Sequence, residues 1–299
     1  MHCNQRSVRR RVPYTERGVK AWCTATIGVL LLGCASPGPA PESENESADT
    51  AEDPDDRLLI VPELVECDPE STAPERLRVA TWNMGAARGS SIDAVRDQLA
   101  AADADIVLIQ EIEIGARRTD EIDQPAVLAQ ALGYDYAFAA ALKFDGGDFG
   151  MAVFSRVPFA AAQRIALDSS DAYEPRIAID ATVCAGPTPL RLIDVHADFM
   201  PEANTRNLGE LADGLGPTGS GLVIAGDFNA DPTAEGVRTL IDASGTVDLF
   251  AALDPSPTRE GERIDFVLAS RDLAEAVAAG EVVPNEASDH ALLWVDFSL

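Results

Sequence analysis

The stretch with the clearest chemical potential is residues 222–231, Leu-Val-Ile-Ala-Gly-Asp-Phe-Asn-Ala-Asp. Its four leading apolar residues predict a buried strand, and Gly226 allows the backbone to approach another segment closely. Asp227 and Asn229 lie two residues apart, so on an extended backbone their side chains leave on the same face. Together they can hold a water molecule, a metal ion or a phosphate oxygen, although a polar turn after a strand has the same composition.

Polar residues of the same chemical classes stand at or near the ends of other predicted strands. They are Asn83, Glu111, His196, Asp265, Asp289 and His290. Hard oxygen donors suit Mg²⁺, Mn²⁺ or Ca²⁺, and no Cys/His spacing typical of a structural zinc site is present in the sequence. The third histidine is His2, near the N-terminus. Both remaining histidines stand beside carboxylates, which favours a chemical role over a structural one.

Alternating strand and helix patterns must position these side chains. Apolar or alternating runs predict strands at 77–83, 106–110, 134–142, 151–155, 176–183, 190–196, 222–231, 264–269 and 292–297. Helical spacing predicts helices after Ser90 and Ser91 and at 125–132, 201–215, 233–242 and 272–279. Strands that alternate with helices and are mixed with hairpins indicate an α/β protein with mixed sheets.

The N-terminus predicts export. Residues 1–20 carry five arginines and one lysine and form a basic segment. Residues 21–32 form a mostly apolar run that is too short to span a bilayer. The run ends in Leu-Leu-Gly-Cys, which resembles the lipobox of bacterial lipoproteins. We therefore predict a signal peptide at 1–33 and lipidation of Cys34, giving a cell-envelope lipoprotein of the outer membrane or periplasm. Ordinary cleavage with secretion and an uncleaved anchor helix are the alternatives.

Charge and composition divide the remainder of the chain. Residues 34–56 are rich in acidic residues, Pro, Ser and Ala and lack aromatic residues, which predicts a disordered tether before a domain at 57–299. The chain has 23 basic and 50 acidic residues, a net charge of −27. Such a charge repels nucleic acid and anionic lipid at long range, although a bound divalent cation would invert the sign locally. We expect membrane contact through the lipid anchor only.

Two cysteines lie in the predicted domain, Cys67 and Cys184, both beside predicted strands. In an oxidising compartment a disulfide between them is plausible, since exported proteins keep disulfides. Two unpaired thiols are the alternative, because separation in sequence does not define geometry.

Seven segments follow one another along the chain: 78–83, 105–111, 150–158, 194–196, 226–229, 263–267 and 288–290. In this order they resemble the motifs of the endonuclease/exonuclease/phosphatase superfamily, over about residues 76–299. That superfamily includes pancreatic deoxyribonuclease, abasic-site nucleases, neutral sphingomyelinases and inositol-polyphosphate phosphatases. The resemblance implies an α/β fold with two packed mixed β-sheets flanked by helices, a four-layer sandwich whose site lies at one end.

The resemblance also implies a metal site and a catalytic histidine. Glu111 would be the main ligand of Mg²⁺, or of Mn²⁺ or Ca²⁺, with Asn83 and Asp289 close by. His290, held by Asp265, would be the general base or the transition-state partner of the phosphoryl group. A carboxylate-paired histidine can deprotonate water near neutral pH, so this role is chemically reasonable in its own right.

Four further residues receive roles from the same resemblance. Asp227 and Asn229 would orient the attacking water and hydrogen-bond the phosphate. His196 would act as a general acid or as a phosphate contact, and Arg176 would face the phosphate. The upstream glutamate that some members pair with this second histidine has no counterpart that the sequence identifies.

These features predict an exported, divalent-metal-dependent phosphoesterase that hydrolyses a phosphodiester or a phosphomonoester by in-line attack of water. We expect a monomer. An extracellular nuclease, a sphingomyelinase-like phospholipase and a non-catalytic binding module on the same fold are the alternatives. Sparse basic residues favour a small phosphate ester over nucleic acid. The full set of polar residues favours an enzyme over a binding module.

Overall fold

The computed structural model describes residues 59–168, 174–216 and 219–299. The predicted signal peptide (1–33), the acidic tether (34–56) and the lipidation site Cys34 lie outside these ranges. Within the described ranges, no helix combines the length and apolar character needed to cross a lipid bilayer.

The described residues form thirteen strands and six α-helices. The strands are β1 (Leu59–Ile60), β2 (Leu77–Asn83), β3 (Ile106–Ile114), β4 (Asp135–Phe144), β5 (Gly147–Ser155), β6 (Phe159–Leu167), β7 (Arg176–Val183), β8 (Leu190–His196), β9 (Leu222–Asp227), β10 (Val247–Asp248), β11 (Asp265–Ala269), β12 (Val277–Val283) and β13 (Leu292–Phe297). The helices are α1 (Ile92–Ala102), α2 (Gln124–Leu132), α3 (Pro201–Leu215), α4 (Glu235–Ser244), α5 (Phe250–Leu253) and α6 (Arg271–Glu275).

The strands form two mixed sheets. The first has seven strands in the order β1-β4-β5-β3-β2-β13-β12, and the second has six in the order β10-β11-β9-β8-β7-β6. The neighbours β2 and β3 are parallel, as are β8 and β9, while the other pairs are antiparallel. Parallel neighbours carry their carboxyl ends to the same edge of a sheet, which is where the predicted polar residues stand.

Three apolar clusters define four layers. The central cluster joins the facing sides of the two sheets, including Val79 of the first and Leu192 of the second. The second cluster packs the outer face of the first sheet against α1 and α2. The third packs the outer face of the second sheet against α3 and α4. The predicted α/β sandwich of two mixed sheets flanked by helices is confirmed.

Alternation along β2 shows how the sequence builds two of these clusters. Leu77 and Val79 belong to the central cluster, whereas Ala80 and Trp82 belong to the cluster under α1 and α2. Successive side chains of a strand point to opposite faces. A strand that is covered on both faces is therefore apolar on both, as the sequence pattern indicated.

Several predicted elements are confirmed, and two regions are corrected. The strands at 77–83, 176–183, 190–196 and 292–297 and the helix at 201–215 have the predicted bounds. The helix predicted at 272–279 is wrong in its second half, because α6 ends at Glu275 and β12 begins at Val277. Pairing of β12 with β13 overrides the helix preference of this Ala-rich stretch. The strand predicted at 151–155 also begins too late, since β5 already begins at Gly147.

A disulfide joins Cys67 to Cys184, with 5.2 Å between the two Cα atoms. The structure thus decides between the two alternatives that the sequence left open. Cys184 follows β7, whose opposite end pairs with His196 through Ile177. The disulfide therefore lies at the end of the second sheet that is remote from the polar strand ends.

Candidate active site

The polar ends of strands from both sheets meet at one end of the sandwich. In the second sheet, His196 is in register with Asp227 of β9, which is in register with Asp265 of β11. In the first sheet, Asn83 ends β2 and His290 precedes β13, which pairs with β2. Asn83 donates from Nδ2 to Asp227 Oδ2 at 3.0 Å and thereby links the two sheets.

The centre of this cluster is His290, which lies between two buried carboxylates. Its Nδ1 is 3.0 Å from Asp265 Oδ2 and 3.1 Å from Asp265 Oδ1, and its Nε2 is 3.7 Å from Asp227 Oδ2. Burial opposes the charged imidazole, but the hydrogen bond and charge of Asp265 outweigh it, with support from Asp227. Together they raise the pKa of His290 to about 9. His290 is therefore an imidazolium at neutral pH.

Asp227 is the residue on which most of the site converges. Burial, together with the nearby charge of Asp265, raises the pKa of Asp227 to about 7. Its Oδ1 accepts the backbone N–H of Asn229 at 2.9 Å. A carboxylate with such a pKa can exchange a proton near neutral pH, which suits a general base.

His196 approaches the same carboxylate oxygen but has different surroundings. Its Nε2 is 3.7 Å from Asp227 Oδ2, and Arg176 Nη1 lies 3.0 Å from that nitrogen and 3.3 Å from Nδ1. Burial and the charges of Arg176 and His290 lower the pKa of His196 well below its usual value. His196 is neutral at neutral pH and can donate only one N–H.

Asp194, which flanks His196 in sequence, points elsewhere. Its Oδ1 accepts from Gln110 Nε2 at 2.5 Å inside the sandwich. The carboxylate that approaches His196 is Asp227, from the neighbouring strand.

Glu111 stands at a bulge in β3, which corrects its predicted place at the end of that strand. The strand continues to Ile114, and its pairing with β5 shifts between Gln110 and Ile112. Glu111 has a φ of 53°, which is unusual for a residue with a Cβ. At this bulge its Oε1 accepts from Asn83 Nδ2 at 3.1 Å, and its Oε2 accepts from Arg88 Nη2 at 2.6 Å.

The donor set fits a hard divalent cation. Glu111 offers a carboxylate, and the neighbouring Asn83 has a carboxamide oxygen, Oδ1, which accepts the backbone N–H of Gly85 at 3.1 Å in this structure. Carboxylate and carboxamide oxygens are the ligands that Mg²⁺, Mn²⁺ and Ca²⁺ prefer. A second potential set, Asp227, Asp265 and His290, has one ligand atom from each residue within 4.8 Å of the others. Three carboxylates, those of Glu111, Asp227 and Asp265, meet in this part of the site and would attract a divalent cation.

Two further predicted residues are placed beside this cluster. Asn229 has a φ of 49° and donates from Nδ2 to the Ala197 carbonyl at 3.0 Å, so its described contacts position the turn and Asp227. Asp289 pairs with Arg259 Nη2 at 2.8 Å. Among the described contacts of Asp289, none joins it to Asn83 or Glu111, and its role as a metal ligand stays a prediction.

Gly226 explains how Asp227 reaches the centre of the site. Its φ is 140°, and a Cβ at this position would lie 2.0 Å from the Val195 carbonyl oxygen. Only glycine allows β8 and β9 to approach this closely at the strand ends that carry His196 and Asp227.

Two supporting hydroxyl groups were not singled out from the sequence. Ser288 Oγ donates to the Asn83 carbonyl at 2.7 Å and accepts the backbone N–H of His290 at 3.1 Å. Thr258 Oγ1 accepts the backbone N–H of Asp265 at 3.1 Å. Ser288 directly precedes Asp289 and His290, so its place in that motif was a usable signal, whereas Thr258 lies in a loop with no such pattern.

Comparisons with known proteins agree with this geometry. Residues 80–290 match the family model described as Endonuclease/Exonuclease/phosphatase family. No curated protein sequence matches the chain significantly. The chain is similar in structure to an endonuclease/exonuclease/phosphatase from Beutenbergia cavernae, with 23% identity, 76% of this chain and 72% of that chain covered, and a TM-score of 0.61.

Two other solved structures show the same fold. An AP endonuclease from Archaeoglobus fulgidus has 20% identity, with 75% of this chain and all of that chain covered, at a TM-score of 0.60. The 3′ phosphatase NExo from Neisseria, bound to a product DNA hairpin, has 20% identity with 75% and 100% covered, at a TM-score of 0.54. Because the family match spans well over half of the sequence, the chain belongs to the endonuclease/exonuclease/phosphatase family, whose members are hydrolases acting on phosphate esters.

Proposed function

We propose that this protein is an exported, divalent-metal-dependent phosphodiesterase that acts on a small phosphate ester by in-line attack of water. The observation that carries this proposal is the meeting of His196, His290 and Asn83 around one oxygen of Asp227, at 3.7, 3.7 and 3.0 Å. Such a group of donors and one acceptor is what displacement at phosphorus needs.

Asp227 would accept the proton of the attacking water. Its raised pKa of about 7 makes it a stronger base than an ordinary carboxylate, while it remains partly ionised at neutral pH. The backbone N–H of Asn229 and the side chain of Asn83 hold its two oxygens in place. The role of general base, which the sequence also predicted for His290, is less suitable because a protonated imidazole has no free lone pair.

His290 would instead donate from Nε2 to a phosphate oxygen and stabilise the charge that builds there. Asp265 keeps this imidazole charged and fixes its orientation through Nδ1. His196, which is neutral, and Arg176 beside it would supply further hydrogen bonds to the phosphoryl group. Fixed donors in a buried site lower the barrier more than the same donors in water.

Glu111 and Asn83 would hold the divalent cation, and Asp289 stays a predicted third ligand. When bound, such a cation neutralises charge on the phosphate oxygens and on the leaving oxygen. Arg88, which pairs with Glu111 in the structure, would have to share or release that carboxylate.

Charge supports a small substrate. The chain carries a net charge of −27, which repels a polyanion such as DNA or RNA. The relatives from Archaeoglobus and Neisseria act on nucleic acid according to their names, so a nuclease is the alternative that a substrate screen must include.

The test is hydrolysis of bis(p-nitrophenyl) phosphate by the full chain with Mg²⁺, Mn²⁺ or Ca²⁺. We expect turnover that a chelator abolishes and that the added ion restores, because without a cation the Glu111 carboxylate would repel the phosphate. His290→Ala should lower kcat by about 10²- to 10⁴-fold, the usual contribution of a positioned acid–base group. Asp242→Asn, an exposed change on α4, is the control and should leave kcat unchanged. Turnover that survives the chelator or His290→Ala would contradict the proposal.

Export has its own test. Fractionation of cells that produce the chain should place it in the envelope, and Cys34→Ala should abolish incorporation of labelled fatty acid. Recovery of unprocessed chain from the cytoplasm would contradict this part of the proposal.

A further inference from the structure

A cavity opens directly beside the catalytic cluster. Its volume is about 460 Å³, and it shares Glu111 with the site described above. Its walls combine apolar side chains, among them Leu142, Phe144 and Phe149, with charged ones, among them Arg118 and Glu174. Any substrate whose phosphate reaches Glu111 has this cavity next to it.

The wall around Arg118 is a rigid, flat surface. The guanidinium carbon of Arg118 lies 4.2 Å from the ring centre of Phe144 and 5.6 Å from that of Phe149. Glu113 is fully buried and accepts from Arg118 Nε at 2.6 Å and also from its Nη2, while Thr119 Oγ1 donates to Glu113 at 2.8 Å. A guanidinium held in this way keeps its plane fixed over the rings, and both surfaces accept a stacked planar group.

Phe144 itself is 40% exposed at the tip of the β4–β5 hairpin. A large apolar side chain in such a position beside a catalytic site offers contact area that the protein does not use internally. Among the described contacts of Arg118, none involves Nη1, so this nitrogen can donate to a group in the cavity.

The charged side chains around the cavity are paired with one another, which disfavours a second phosphate as its occupant. Arg88 is paired with Glu111 at 2.6 Å, and Arg118 is paired with Glu113. Glu174 adds a further carboxylate to the wall, and its Oε1 lies 3.7 Å from Arg176 Nη1. Each guanidinium group thus already has a carboxylate partner, whereas an uncharged planar group with polar edges does not require a free cation.

We propose that this cavity is the subsite for the base of a nucleotide ester. The base would stack on the Phe144 and Arg118 surface, with Arg118 Nη1 as a donor and Glu174 as an acceptor at its polar edge. This inference rests on the proposed function, since it assumes that the phosphate ester is bound beside Glu111. The substrates of the protein would then be nucleotidyl phosphoesters. A free nucleotide and the end of a nucleic acid share this chemistry, and the net charge of −27 favours the free nucleotide.

The test compares two probes that differ only in the base, adenosine 5′-monophosphate and ribose 5-phosphate, by calorimetric titration of the full chain with the divalent cation that supports turnover present. We expect the nucleotide to bind about 5- to 150-fold more tightly, the range that stacking of one base contributes. Phe144→Ala should remove most of this preference. Phe144→Leu, which keeps an apolar side chain but has no ring for stacking, should also remove most of this preference. Circular dichroism confirms that the variants are folded.

Phe199→Ala is the matched control. Phe199 is also an exposed phenylalanine, at 51%, but it lines a different cavity, on the Asn229 side of the site. It should keep the preference for the nucleotide. Equal binding of the two probes, binding of neither, or an equal loss in Phe199→Ala and Phe144→Ala would overturn the subsite. A dinucleotide and a single-stranded oligonucleotide, compared as substrates at two salt concentrations, separate the two sources: faster, salt-sensitive turnover of the oligonucleotide overturns the assignment to a free nucleotide.

The two proposals fail in different ways. Absence of metal-dependent turnover of bis(p-nitrophenyl) phosphate overturns the proposed function. Turnover of that diester without a preference for the nucleotide over ribose 5-phosphate overturns only the base subsite.

Discussion

The two histidines of the site share one carboxylate and nevertheless differ in charge. Each places Nε2 at 3.7 Å from Asp227 Oδ2, His290 from the side of the seven-stranded sheet and His196 from the six-stranded sheet. Asp265 at 3.0 Å raises the pKa of His290, whereas burial and Arg176 lower that of His196. The different surroundings of the two imidazoles, Asp265 for His290 and burial together with Arg176 for His196, therefore decide their different charges.

This difference divides the chemistry between the two sheets. The charged imidazolium of His290 can stabilise the negative charge that develops on the phosphoryl group. The neutral imidazole of His196 can donate a hydrogen bond without the free-energy cost of burying a second charged ring. Two protonated histidines around Asp227 would repel each other, and two neutral ones would leave the phosphoryl charge without a cationic partner. The predictions below change one partner at a time.

Removal of the shared partner should have the largest effect. Asp227→Asn keeps the shape of the side chain but takes away the proton acceptor, so we expect kcat to fall by about 10²- to 10⁴-fold. Steady-state kinetics with bis(p-nitrophenyl) phosphate and Mg²⁺ measure this loss. Asp242→Asn is again the matched control. A loss below tenfold would remove Asp227 from the role of base.

Removal of the partner of His290 should come next. Asp265→Asn keeps one hydrogen bond but removes the charge that raises the pKa of His290, so the imidazole should lose its proton at lower pH. Loss of a charge-assisted hydrogen bond of about 1.5–3 kcal/mol corresponds to a decrease of about 10- to 150-fold in kcat/KM. Proton NMR titration of the His290 ring should show a midpoint below that of the wild type, for which we expect about 9. An unchanged midpoint would contradict the assigned cause.

Removal of the partner of His196 should lower kcat/KM less than Asp265→Asn does, and it should shift the pKa of the affected histidine in the opposite direction. Arg176→Gln takes a positive charge away from the ring, so the pKa of His196 should rise towards its ordinary value. We expect a decrease in kcat/KM of about 10-fold, since this corresponds to about 1.5 kcal/mol, the lower end of the range for one hydrogen bond to a charged group. The same NMR titration follows both rings. A midpoint of His196 that falls in this variant would reverse the comparison.

Removal of the remote disulfide should leave both histidines unchanged. Replacement of Cys67 and Cys184 by Ser should lower the free energy of unfolding by about 2–5 kcal/mol, as for other native disulfides of this kind. Chemical denaturation measures that change. Below the melting temperature, kcat and both ring titrations should match the wild type. A shift of either titration would show that the far end of the sandwich influences the site.

Much of this site was predictable from residue types at strand ends. His196 and Asp227 are the last residues of neighbouring parallel strands, which must end at a common edge of the second sheet. Asn83 is the last residue of β2 in the first sheet, and packing of the two sheets brings it to Asp227. Apolar and alternating runs in the sequence predicted the strands that carry these residues, and helical spacing of apolar residues predicted α3. These signals are local, so a single sequence contains them.

The remainder depends on contacts between segments that are distant in sequence. The bulge that turns Glu111 towards Asn83 follows from pairing of β3 with β5, and β12 forms only because β13 is available beside it. The neutral state of His196 depends on its burial between the packed elements and on Arg176 from the neighbouring strand. The buried Glu113 beneath Arg118 reads in the sequence as an ordinary acidic residue after a strand, so the cavity beside Glu111 had no local signal.

The most direct test is the pH dependence of kcat/KM for bis(p-nitrophenyl) phosphate with Mg²⁺. Activity requires ionised Asp227, with a pKa raised to about 7, and protonated His290, with a pKa raised to about 9. The rate should therefore rise as the pH passes about 7 and fall as it passes about 9. A rate that keeps rising through pH 9, or that falls near the ordinary histidine pKa, would contradict the assignment of His290 as the charged partner of the phosphoryl group.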